Sequence, residues 1–171
     1  ELVFDLTVEF WKKLLDWAYG TNRSHDQMVQ AARSGKQNIA EGSQASGTSK
    51  KTELKLINVA RASLEELLLD YQDYLRQNSL VLWTKDSGEA GAVRALAYRS
   101  DKSYGTYQPY LVKPDMAANT IICLIHQANY LLDKQLASLG QTFLKEGGFT
   151  ENLFRKRNQE RKRILGRWPG D

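Results

Sequence analysis

Apolar residues recur at intervals of three and four along almost the whole chain, and no stretch sustains the strict alternation of a half-buried strand. The pattern predicts an all-α protein. A first helix over about 2–19 would align Phe4, Val8, Trp11, Leu15 and Ala18, with Gly20 and Asn22 turning the chain. Ser24-His25-Asp26-Gln27 has the spacing of a capping box and predicts a second helix from His25 to about Glu41, stopping near Gly42. Its inward residues would be Met28, Ala31, Ala32, Gly35 and Ile39, small enough for close approach of a neighbour. A polar link over 43–49 leads to a third helix over 49–77, with Ile57, Ala60, Leu64, Leu67, Tyr71 and Tyr74 at the period of a coiled-coil seam. Leu54, Val59, Leu68 and Leu75 form a second ridge, which predicts more than one neighbour.

Residues 79–114 break the rhythm. They contain Leu80, Val81, Leu82 and Trp83, a second capping spacing at Asp86-Ser87-Gly88-Glu89, and Tyr98, Tyr104, Tyr107 and Tyr110, with Pro109 and Pro114 limiting helix length. One or two short helices, over about 87–99 and 101–111, are expected, packed on the outside as an insertion. Asp115 would cap a long helix over 116–146 with the seam Ala118, Ile122, Ile125, Asn129, Leu132, Leu136, Leu139 and Phe143. Asn129 interrupts that seam, a position suited to fixing register. Gly147-Gly148 ends the helix, and Thr150 would cap a basic helix over 151–165. The predicted organisation is therefore an antiparallel four-helix bundle over 1–149, with the insertion at 79–114, and a C-terminal suffix over 150–171.

A chain of 171 residues with 42% apolar and 26% charged residues can bury a core, which excludes a disordered or fibrous class. Cys123 is a single cysteine, so a disulfide scaffold is excluded and a reducing, cytoplasmic setting is expected. Glu1, Asp5 and Glu9 argue against a secretory leader in the first ten residues, and the absence of an initial Met reads as a trimmed N-terminus. The uncharged run Met116 to Leu132 carries Asn119, His126, Gln127 and Asn129, too polar and slightly too short for a membrane span.

The net charge of +4 is unevenly placed: residues 1–149 hold 17 lysines and arginines against 17 carboxylates, and residues 150–171 hold 7 against 3. The tail cations Arg155, Lys156, Arg157, Arg161, Lys162 and Arg163 form two triplets beside Leu153, Phe154, Ile164 and Leu165. Such a helix suits phosphate contacts with salt-dependent affinity. A solvated tail is the plain alternative, and an amphipathic membrane-surface helix a third. A milder cluster, Arg33, Lys36, Lys50, Lys51, Lys55 and Arg61, flanks the predicted link. Without aromatic stacking partners it would meet nucleic acid only at phosphates, and surface solubility accounts for it equally well.

Catalysis finds little support. Cys123 and His126 lie one turn apart, but a zinc site needs about four ligands, so a core cysteine and a hydrogen-bonded histidine are expected instead. Ser34-Gly35-Lys36 has Gln30 where a phosphate loop requires glycine. The carboxylate pairs Glu65-Glu66 and Asp70-Asp73 read as a solvated helix face. No enzyme, cofactor, metal or membrane partner is expected.

The stretch from Gln27 to Ser43, with its Ala31-Ala32, Ser34 and Asn38-Ile39-Ala40-Glu41-Gly42, resembles the signature of a bacterial four-helix-bundle family found in intervening sequences of large-subunit ribosomal RNA genes. Ser49-Lys50-Lys51 and the run from Val59 to Leu67 resemble its third-helix pattern. The resemblance covers about 1–78 and 115–145, and the longer subgroup with a C-terminal suffix is the most similar. It implies a non-enzymatic adaptor that is a homo-oligomer, often a ring-like pentamer. Relatives include the accessory protein of diversity-generating retroelements, which binds nucleic acid and its reverse transcriptase through a basic surface. The resemblance therefore implies RNA or DNA as partner, reverse transcriptase as a further one, and Arg33, Lys36, Lys50, Lys51 and Lys55 as phosphate contacts. The other reading is a protein-interaction module without nucleic acid, anchored by Trp83 and the tyrosines of 79–114.

Overall fold

The computed structural model describes residues 1–14, 23–100 and 103–165, all of whose regular elements are helical. Leu15, Ala18, Gly20 and Asn22, and the chain beyond Leu165, lie outside the described residues. Helix α1 (Leu2–Glu9) continues into a π-helical turn at Phe10–Leu14. It is followed by α2 (Arg23–Ala45), α3 (Lys50–Gln77), α4 (Gly88–Leu96), the single turn α5 (Tyr104–Tyr107) with a 3-10 turn at Gln108–Tyr110, α6 (Pro114–Glu146) and α7 (Phe149–Leu165). The first six pack together.

The seam of α3 organises the core: Ile57, Ala60, Leu64, Leu67 and Tyr71 are buried as their spacing predicts, and Leu68 and Leu75 join them. Each fully enclosed Leu or Ile contributes about 1.5–3 kcal/mol. Tyr74, the last residue of the seam, is only partly buried, and Val59 of the second ridge is exposed because that ridge is covered along part of its length. Helices α2 and α3 run antiparallel. Ser34 and Ser63 hydroxyls lie 2.9 Å apart, and a Cβ on Gly42 would sit 3.1 Å from Ile57 Cδ1. Gly42 therefore does not end α2, as its residue type suggested. It lies inside the helix, where the lack of a side chain admits Ile57, and α2 continues to Ala45. The link shortens to four residues, and Ser49 caps α3 by accepting from the Thr52 amide at 3.2 Å.

Helix α6 runs antiparallel to α3, tied by Arg61 Nε donating to Asp133 Oδ1 at 2.9 Å and Asn129 Nδ2 donating to Glu65 Oε2 at 3.1 Å. Asn129 is thus bonded across the seam it interrupts, to a carboxylate that Arg61 also holds at 2.7 Å. Helix α1 is antiparallel to α2: the Lys36 ammonium lies 4.1 Å from the Phe4 ring centroid, and Trp11 meets His25 edge-on. Phe10 packs edge-on against Tyr71 and Tyr74, and the Tyr71 hydroxyl donates to Thr7 Oγ1 at 3.1 Å, which itself donates to the Val3 carbonyl.

The 79–114 segment is more deeply integrated than an external insertion with free aromatics. Tyr107 is fully buried, and Trp83, Tyr104 and Tyr110 are partly buried against the core. Tyr98 alone of these is open, at 90% exposure. Buried Asn119 clamps the extended stretch at its start: its oxygen accepts from the Trp83 amide at 2.8 Å and its amide donates to the Val81 carbonyl at 2.9 Å. Ala90 and Val93 then seat α4 on α6.

Several boundaries differ for local reasons. Helix α2 begins by Arg23, so Ser24 lies in its first turn, and the cap of α4 is Ser87, not Asp86. Pro114 opens α6 after Lys113, leaving Asp115 in the first turn. Thr150 lies inside α7, where the Glu151 carboxylate accepts from the Gly148 amide at 2.9 Å. The second expected short helix is a single α-turn, Tyr104–Tyr107, that tightens into a 3-10 turn carrying Pro109.

Candidate nucleic-acid interface

The cations of the α2–α3 hairpin are not one cluster. Lys50, Lys51 and Lys55 occupy the first two turns of α3, beside the link. Arg33 and Lys36 lie about 18 and 14 Å further along α2 at 1.5 Å per residue. Two of the five are already engaged. Lys36 sits over the Phe4 ring, and the Lys50 ammonium donates to the buried Glu53 carboxylate at 3.2 Å. Arg33, Lys51 and Lys55 are exposed. Arg61, placed in the same cluster by sequence, belongs to the α3–α6 tie with Asp133 and Glu65.

The structure adds a cation that sequence separation concealed. The antiparallel register of α3 and α6 carries exposed Lys145 to the level of the α3 N-terminus. Its only sequence signal is a basic residue in a helix's last turn, where it also offsets the negative end of the helix dipole.

Helix α7 starts after Gly147, whose φ of 73° lets the backbone leave α6 in a conformation that suits glycine. None of its residues is buried. Arg155, Lys156, Arg157, Arg161, Lys162 and Arg163 are all exposed, and Arg163 pairs with Glu160 at 3.0 Å. At 3.6 residues per turn, Arg155, Lys156, Lys162 and Arg163 fall around Gln159 on one face. Arg157 and Arg161 fall on the other, with Leu153, Phe154, Ile164 and Leu165, each apolar side chain more than half exposed. The first face is a cationic strip bordered by Glu160, which holds Arg163, and by Glu151 near Arg155, and it suits a phosphate backbone. The second mixes charge with apolar surface.

Other groups weighed from sequence lie apart from these strips. Cys123 is buried and burial pushes its thiol pKa up, whereas His126, one turn on, is exposed. No group of three His, Cys, Asp or Glu side chains among the described residues is arranged to hold a metal. A groove of about 480 Å³ between α2 and α3 is lined by Arg23, Asp26, Gln30, Ser34, Ser63 and Glu66, a mixed surface with no anion preference. No helix among the described residues is long and apolar enough to cross a membrane.

The motif residues of α2 have clear structural roles. Ala31, Ala32, Gly35 and Gly42 are buried, and Asn38 donates to the Ser34 carbonyl at 2.9 Å, beside the Ser34–Ser63 pair. They form the contact face toward α3. No protein-family model, curated protein or solved structure matches this chain.

Proposed function

We propose that the protein is a non-enzymatic nucleic-acid-binding accessory protein, a cytoplasmic homo-oligomeric adaptor that presents RNA or DNA to a partner enzyme. The observation that carries this reading is the grouping of Arg155, Lys156, Lys162 and Arg163 on one face of a helix with no buried residue, where Lys156 and Lys162 are exposed while Glu160 holds Arg163 at the margin. Exposed Lys51, Lys55, Arg33 and Lys145 supply a second, weaker set of phosphate contacts. Neither set has the aromatic platforms that read bases, so binding is electrostatic and tolerant of sequence.

The antiparallel pairings of α1 with α2, α2 with α3 and α3 with α6 support a four-helix bundle carrying the 79–114 insertion, with α7 as its suffix. The contact role of Ala31, Ala32, Ser34 and Asn38 supports the motif resemblance. A pentameric ring and a reverse transcriptase as partner rest on that resemblance alone.

The test is a titration of RNA and of DNA against salt with the whole chain and with a Lys156→Glu/Lys162→Glu variant. The logarithm of affinity should fall linearly with the logarithm of salt concentration, and the variant should flatten that slope by about 1.4–1.8. Failure of the intact chain to bind either polymer at low salt would sink the reading.

A further inference from the structure

The outward face of α3 is divided by charge. Its first turns present Lys51 and Lys55, whereas Glu66, Asp70 and Asp73 line the same side about three to five turns later, around Leu69. Leu69 is 56% exposed. Asp73 is paired with Arg76, but among the described residues no cation pairs with Glu66 or Asp70. Asp70 is half-buried, with Oδ2 enclosed and without a partner, and burial, aided by the like charges of Glu66 and Asp73, raises its pKa. Its pattern is an apolar side chain ringed by carboxylates one turn apart.

The mixed face of α7 has the complementary pattern. Arg157 and Arg161 lie one turn apart among Phe154 and Leu165, as Glu66 and Asp70 lie one turn apart beside Leu69. Opposite charges at matched one-turn spacing on two helices give register as well as attraction. The chain cannot make this contact with itself. Folded back along its own α3, α7 would carry Arg157 and Arg161 about 12 and 18 Å, while Glu66 and Asp70 lie about 24 and 30 Å from the α3 N-terminus. It would also press those arginines toward Lys51 and Lys55.

We propose that the mixed face of α7 docks on the acidic outer face of α3 in a second copy of this chain, Arg157 and Arg161 meeting Glu66 and Asp70 around Leu69. The contact is head-to-tail, since donor and acceptor surfaces differ, and it therefore propagates to a closed ring or an open chain. It leaves Arg155, Lys156, Lys162 and Arg163 on the opposite face, so it stands independently of nucleic-acid binding.

Light scattering of the whole protein over a range of concentration and salt tests this. Wild type should self-associate at low salt and dissociate as salt screens the contact. Arg157→Glu/Arg161→Glu and Glu66→Lys/Asp70→Lys should each weaken association about tenfold or more, with helicity unchanged by circular dichroism. Mixing the two reversed variants should restore it. Lys156→Glu/Lys162→Glu, on the opposite face, should associate as wild type does. A wild type that stays monomeric at low salt overturns the proposal and leaves the strip to a different cationic partner. Association that survives both reversals, or reversed variants that fail to recover on mixing, overturns it as well. If a reversal perturbs helicity, Arg157→Gln/Arg161→Gln replaces it, and undiminished association in that variant overturns the proposal.

Discussion

Gly35 of α2 lies so close to Leu64 of α3 that a Cβ at residue 35 would stand 2.9 Å from Leu64 Cδ2 and 3.0 Å from Leu64 Cγ. Leu64 is 4% exposed and has little room to retreat. Gly35→Ala gains up to about 1 kcal/mol in helix propensity but meets overpacking that costs about 1–3 kcal/mol, so a net loss of about 1 kcal/mol is expected from urea unfolding. Gly140 of α6 has no neighbour within 4 Å of the equivalent position, so Gly140→Ala should stabilise by up to about 1 kcal/mol. A Gly35→Ala/Leu64→Ala double-mutant cycle should show favourable coupling, because the shorter side chain vacates the space.

Asn119 bonds both edges of the extended stretch that follows α3. Asn119→Leu should cost about 2–4 kcal/mol, since the Trp83 amide and the Val81 carbonyl each lose a partner. Asn119→Asp keeps the acceptor for Trp83 and should lose less. Hydrogen exchange of the Trp83 amide separates the cases: protection should vanish in the leucine variant and persist in the aspartate variant.

Asn129 interrupts an apolar seam, and its Oδ1 is buried without a partner while its amide donates to Glu65. Asn129→Leu removes that orphan acceptor, and Glu65 retains Arg61. The variant should unfold within about 1 kcal/mol of wild type or above it.

Tyr71 is wholly enclosed, and burial holds its phenol pKa far above the ordinary tyrosine value, with the bond to Thr7 acting in the opposite direction. In the unfolded chain the phenol ionises near pH 10. Below that pH both states are protonated and stability is full. Above it the unfolded state has fewer bound protons than the folded one, so stability declines as pH rises from the unfolded pKa toward the folded one. Urea midpoints from about pH 8 to about pH 11 should fall, at up to about 1.4 kcal/mol per pH unit from Tyr71. Burial raises Tyr74 and Tyr107 too, so Tyr71→Phe should flatten the decline without abolishing it.

Helix periodicity is a local property, so α3, α6 and α7 and most of the α3 seam were legible in the residue order. The segregation of charge into 150–171 was equally plain. Four exposed α7 cations fall on one face by helical geometry alone, so their grouping could be read from the residue order. Lys36 and Lys50 look alike in sequence to Lys51 and Lys55, yet one lies over Phe4 and the other is bonded to Glu53. What occupies a long cationic side chain depends on which element packs beside it.

The same division runs through the whole molecule. By itself the sequence determined an all-helical chain, its inward stripes and its basic end, because spacing and composition act within one helix. Only the tertiary structure decided that Gly42 admits Ile57 instead of ending α2, that Asn119 clamps residues 81 and 83, and that Tyr107 is core while Tyr98 is surface. Each of those outcomes is set by a partner tens of residues away or on another helix, and the local pattern carries no record of that distance.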